Sequence, residues 1–124
     1  MNHNLARTAL AASLAAACLG AAAETRLERG PYRVESIAGC GNWHTPQGPD
    51  GPLPGKPLAG GQPIQDEAFT ATSANITPDR ETGIGKWTDA QIAPAWGPAV
   101  DQYRSISDND LAAMVAYLRK LPPE

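Results

Sequence analysis

A chain of 124 residues with 42% apolar residues, 19% charged residues and a formal net charge of -3 has room for one small domain at most. Its acidic balance argues against nucleic acid as a partner. Two cysteines and two histidines, one of each near the beginning, leave the rest of the chain without a four-ligand zinc site or a nucleophile, base and acid set.

In chain order the first feature is a leader. Arg7 supplies a positive n-region, residues 8–20 form an apolar run rich in alanine and leucine, and Ala21-Ala22-Ala23 offers a small-residue cleavage site. Residues 1–23 therefore read as a cleaved signal peptide, and residues 24–124 as one exported domain located in the periplasm. The run is too short to span a bilayer, so no transmembrane segment is expected. Cys18, preceded by Ala15-Ala16-Ala17, offers lipid anchoring as a minor alternative. Losing Arg7 takes the net charge from -3 to -4, since every Asp and Glu lies after Ala23. From Glu24 onward 23 of 101 residues are Val, Ile, Leu, Met, Phe, Tyr or Trp. So thin an apolar supply predicts that a bulky cofactor completes the core.

Gly30-Pro31 can open a helix at the proline, and Tyr32, Val34, Ile37 and Ala38 supply its apolar side, so a short helix is predicted over residues 31–40. It leads into Cys40-Gly41-Asn42-Trp43-His44, one residue away from the Cys-x-x-Cys-His sequence that attaches c-type haem. In that sequence two thiols a helical turn apart bond the porphyrin, and the histidine becomes the proximal iron ligand. Cys40 and His44 stand at i and i+4 and point from one face of a helical turn. Trp43 stands where the second thiol would. The plainer alternatives are a free thiol that pairs between chains and a histidine exposed in a turn.

Eleven of the 19 residues from 45 to 63 are Pro or Gly, which forbids a regular helix and most strand pairing. The segment reads either as a linker or as an irregular loop packed at the edge of a ligand. Residues 66–87 read as loop, with a turn at Asn75-Ile76-Thr77-Pro78-Asp79 in which Asp79 caps backbone donors. Gly83 and Gly85 allow unusual backbone angles or close approach to a flat ligand. Thr88-Asp89-Ala90-Gln91 has the form of a capping box and starts a helix that Pro94 stops or kinks, and Trp96-Gly97-Pro98 is a turn. The clearest helix has Ser107 as N-cap. Asp108 and Asp110 complement its positive end, Leu111, Met114, Val115 and Leu118 follow at helical spacing, and Pro122-Pro123 ends it. Taken singly, Trp43, Trp87 and Trp96 read as core filling and Met114 as packing on that last stripe.

The ordered set is more specific than its parts. A short helix, Cys40-Gly-Asn-x-His44-Thr45-Pro46, Leu58-Ala59-Gly60-Gly61, Asn75 to Asp79, Thr82-Gly83-Ile84-Gly85-Lys86-Trp87-Thr88 and the ending from Tyr103-Arg104 through Leu121 together resemble a small exported cytochrome c of the bacterial, class I-like kind. The resemblance implies an all-α fold: a small cytochrome c-like domain with irregular Gly/Pro-rich loops around a haem pocket and with its first and last helices crossing. It implies haem c and its iron as cofactor, Cys40 as thioether anchor and His44 as proximal ligand. It places Asn75 and Trp87 at the haem edge. The implied function is periplasmic electron transfer, as a carrier or haem subunit more than as a stand-alone enzyme, with a redox partner protein such as a dehydrogenase or oxidase.

The chain departs from that family twice. Trp43 limits covalent attachment to a single thioether at most. Family members usually carry a methionine as distal ligand shortly before the Tyr-Arg segment, but here the interval from Trp87 to Tyr103 is short and the slot falls near Pro98 or Ala99. The distal position is then open, or filled by water or another side chain. Two further readings stay beside electron transfer: a degenerate cytochrome without covalent haem that serves as a binding or scaffold protein, and a five-coordinate haem protein with ligand-binding or weak peroxidase-like activity.

Overall fold

The computed structural model describes residues 23–96, 103 and 105–124. Apart from Ala23, the expected leader with Cys18 lies outside the described residues, as do positions 98 and 99.

The first helix, α1 (Arg26–Pro31), starts earlier than Pro31 because Thr25 and Glu28 form a capping box. The Glu28 N–H donates to Thr25 Oγ1 at 3.3 Å, and the Thr25 N–H donates to Glu28 Oε2 at 2.8 Å. Pro31 therefore sits in the last turn of α1, and a π-helical stretch, Tyr32–Ile37, continues the rod. The wide register follows directly on the residue that has no N–H to give to an α ladder. Gly39 ends the rod at φ 58°, and the Cys40 N–H returns to Val34 O at 3.0 Å. A single turn follows as α2 (Gly41–His44).

The all-α expectation does not hold. Two small antiparallel sheets interrupt the helices: β1 (Gln47–Gly48) with β2 (Gly51–Pro52), and β3 (Pro63–Gln65) with β4 (Thr70–Thr72). In the first, Gly48 faces Gly51, whose φ of 115° only glycine adopts cheaply. In the second, Pro63 pairs with Thr72 at the strand's first residue, where a missing N–H costs least. Pro and Gly thus excluded helices, as the composition requires, but not two- and three-residue ladders.

The capping box at Thr88 opens α3 (Asp89–Ile92), with the Thr88 N–H donating to Gln91 Oε1 at 2.8 Å. The chain tightens into a 3₁₀ turn, Ala93–Trp96, at Pro94. The last helix, α4 (Asp108–Leu118), is capped by Ser107, whose hydroxyl accepts from the Asp110 N–H at 3.2 Å. Met114, Val115 and Leu118 of its stripe are buried, and each such side chain contributes about 1.5–3 kcal/mol by leaving water.

The first and last helices pack directly on each other. At Gly30 a Cβ would come within 2.5 Å of Ala113 O and collide with Tyr117 Cβ, so the two backbones approach only because position 30 has no side chain. Asp110 ties α4 down by pairing with Arg29, and with Arg33 Nη2 at 3.0 Å, while the Tyr117 hydroxyl donates to Glu35. The remaining core residues, Leu58, Ile76, Ile84, Ile92 and Trp96, come one at a time from loops and short helices. Among the described residues no helix is long and apolar enough to cross a membrane.

Candidate functional site

The site is built around α2. Its carbonyl at His44 accepts from the Gly60 N–H at 2.6 Å, and the His44 ring Nδ1 lies 2.8 Å from Ala74 O. A carbonyl oxygen only accepts, so Nδ1 carries the proton and Nε2 presents its lone pair. Gly60 stands between the two partners at φ 72°, where a Cβ would lie 2.5 Å from Ala74 C and 2.7 Å from Ala74 O. Leu58 continues the same stitching, donating its N–H to Thr45 Oγ1 and accepting from the Ile76 N–H, both at 3.0 Å. The later part of the Gly/Pro-rich segment is therefore a packed loop that holds His44, and the linker reading does not apply to it.

Cys40, Trp43 and His44 share the wall of one cavity of about 610 Å³. Ile64 of β3, the loop through Ala74, Asn75 and Ile76, and the turn around Thr82 form further parts of the lining. Trp87, Ile92 and Trp96 complete its apolar character. All four residues singled out from the sequence, Cys40, His44, Asn75 and Trp87, thus meet at one place.

Their environments differ. Cys40 is buried, and burial pushes its thiol above the ordinary range, an effect partly offset by a backbone hydrogen bond. Asn75 is fully used within the protein. Its Oδ1 accepts from the Thr77 N–H at 2.8 Å and the Thr77 hydroxyl at 2.7 Å, and its amide donates to Thr82 Oγ1 at 2.9 Å. It shapes the cavity wall and offers little hydrogen-bonding capacity to a ligand. Trp43 and Trp87 are 57% and 51% exposed, so both stand at the cavity's rim and neither fills the core. Trp96 is buried and joins the core to the cavity.

The turn after Asn75 is self-contained. Asp79 Oδ1 accepts from the N–H groups of Glu81 and Thr82 at 2.8 and 2.7 Å, and these bonds hold its carboxyl below the usual range. Gly83 and Gly85 serve this turn: a Cβ on Gly83 would strike Thr77 O, and one on Gly85 would lie 2.6 Å from Asp79 O. Both positions approach backbone of the same turn, and Gly83 also lines the cavity. Arg119, the residue that caps the C-terminal end of α4, then pins the next segment, bonding Trp87 O, Ile84 O at 3.4 Å and Asp89 Oδ1 at 2.9 Å.

Sequence reasoning missed two parts of the site. The Ala74 carbonyl is a main-chain group with no residue signature, and Trp96 offered only an aromatic that reads as core anywhere.

The chain is similar to cytochrome subunits of dehydrogenases. The chain is 32% identical over 121 residues to the alcohol dehydrogenase (quinone), cytochrome c subunit, of Gluconobacter oxydans, and 33% identical over 118 residues to the gluconate 2-dehydrogenase cytochrome c subunit of Pantoea cypripedii. The chain is a relative of cytochrome c subunits. These matches cover 87% and 85% of the chain but only 24% and 25% of the relatives' own lengths. A nicotinate dehydrogenase polypeptide of Pseudomonas putida is also 33% identical, over 85% of the chain and 9% of that protein. No protein-family model matches the chain.

The cytochrome c relation implies haem c with its iron, and the cavity fits that group. It has the volume of a cofactor site, an apolar and aromatic lining, a thiol on its wall, and one imidazole whose second nitrogen is already engaged by a carbonyl. Metal-bound histidines are oriented by just such a bond on the ring nitrogen away from the metal.

Proposed function

We propose that this chain is an exported, periplasmic electron-transfer haem domain of the cytochrome c type that passes electrons for a dehydrogenase partner, its leader being removed near Ala23. The reading is supported by the relatives named as cytochrome c subunits of dehydrogenases. The observation that carries it is the meeting of Cys40 and His44 on one cavity wall, with the His44 Nδ1–H committed to Ala74 O.

In this reading Cys40 would anchor the porphyrin, through one thioether at most because Trp43 stands one turn away in place of a second thiol. His44 Nε2 would ligate the iron, which would supply a reversible one-electron couple. The chain's own residues do the rest. Gly60 and Ala74 keep the imidazole in one tautomer and one orientation. Ile64, Ile84, Ile92 and Trp96 keep water from the ring. Trp87, held by Arg119, stands with Trp43 at the exposed rim, where a partner protein would approach.

Expression of the full chain together with a c-type maturation system tests this. Haem that survives denaturing electrophoresis, disappears in Cys40→Ser and is reversibly reduced by a mediator supports the reading. Colourless protein that nevertheless melts cooperatively contradicts it.

A further inference from the structure

Several features lie outside the haem reading: the smaller cleft around Arg33 and Asp110, the rim tryptophans, and the fate of the iron's second axial position. The last is carried furthest by the observations. After the leader the chain holds one histidine, one methionine and one cysteine. His44 and Cys40 sit four residues apart on the same helical turn and are already assigned. Met114 is 1% exposed and lines the neighbouring cleft of about 370 Å³ with Arg33 and Asp110; it does not line the His44 cavity. Lys56, Lys86 and Lys120 are exposed, and none lines the cavity either. By sequence, residues 97–102 contain no His, Met, Cys or Lys.

We infer that haem iron held by His44 in this chain keeps an exchangeable second axial position, so that the cavity binds a small neutral diatomic ligand. The inference rests on the haem reading above and departs from the Met/His arrangement that raises the potential in electron carriers. The lining argues for neutral ligands over anions. Ile64, Ile76, Ile84 and Ile92 are apolar, no Lys or Arg among the described residues lines the wall, and Glu81 adds a carboxylate that repels an anion. Tyr103 is the one tyrosine on the cavity wall.

Carbon monoxide is the probe, added to the haem-loaded full chain after reduction with dithionite, with absorption spectra as readout. The expected result is a high-spin ferric spectrum and a ferrous Soret band that shifts fully with one equivalent of carbon monoxide per haem. Met114→Leu, a conservative core change, is expected to leave both spectra as they are. A low-spin ferrous spectrum unmoved by carbon monoxide overturns the inference while leaving the haem reading intact, and Tyr103→Phe and Met114→Leu then show which side chain took the position. A matured chain that carries no haem overturns both.

Discussion

The Nδ1–H of His44 donates to the main-chain oxygen of Ala74, thirty residues further along, at 2.8 Å. That bond joins the α2 turn to the loop beneath it and sets which ring nitrogen faces the cavity. Gly60 makes it geometrically feasible, since any side chain there would displace Ala74.

Gly60→Ala should therefore do more than strain the backbone. The left-handed φ costs about 1–2 kcal/mol, and the clash with Ala74 adds a similar amount. Gly61→Ala is the control: its φ is 83° but nothing lies within 4 Å of the added Cβ, so only the backbone cost should appear. Denaturant melts of the two variants measure the difference. In haem-loaded protein only Gly60→Ala should shift the reduction potential, because only it disturbs the His44 bond.

Trp43→Cys restores a thiol one turn from Cys40 on the wall of the same cavity. More haem per chain is expected, with the pyridine haemochrome band moving from the single-thioether to the two-thioether position. Unchanged haem content would show that the missing thiol does not limit attachment.

Before haem is attached, Cys40 should behave as a protonated, slow thiol at neutral pH. Its folded pKa is raised, with desolvation as the main cause, so its thiolate appears only above the ordinary thiol range. Alkylation by iodoacetamide as a function of pH should rise later in folded protein than in denaturant. Coincident profiles would contradict the burial of the thiol.

Asp110 should govern acid stability. The hydrogen bond from Arg29, with the further charge of Arg33, lowers its pKa in the folded protein. A depressed carboxylate contributes stability that is present above the unfolded carboxylate value and lost as pH falls through the folded one. Asp110→Asn should lower Tm at neutral pH, and its gap from the parent should close as the pH drops below about 4. A gap that persists in acid would assign the effect to packing.

Gly30→Ala probes the helix crossing itself. Its Cβ would meet the Ala113 carbonyl at 2.5 Å, in a place where α1 and α4 cannot separate without breaking the Arg29–Asp110 pair. A loss of about 1–3 kcal/mol is expected, read as a lower midpoint in urea.

Local signals were legible where they act over one turn. Ser107 caps α4, the stripe through Met114, Val115 and Leu118 is buried, and Thr88 and Gln91 open α3. The Thr25–Glu28 capping box was equally readable, and it shows why the first helix begins before Pro31 and not at it. The short ladders at 47–52 and 63–72 were not readable, because two or three paired residues leave no periodicity in a segment dense with Pro and Gly. The core-filling reading of Trp43 and Trp87 taken singly failed for a related reason: an indole's burial depends on what other segments bring against it.

By itself the sequence determined the chemistry on offer: a thiol and an imidazole four positions apart, a methionine on a helix stripe, and helix ends written in hydrogen-bonding side chains. Those depend on covalent spacing and on contacts within a turn. Only the tertiary structure decided that Asn75 and Trp87 face the same cavity as Cys40 and His44, that Ala74 holds the imidazole, and that Met114 lies in another cleft. These follow from backbone contacts across tens of residues, permitted at Gly30 and Gly60 by the absence of a side chain, and no local pattern encodes which segments will meet there.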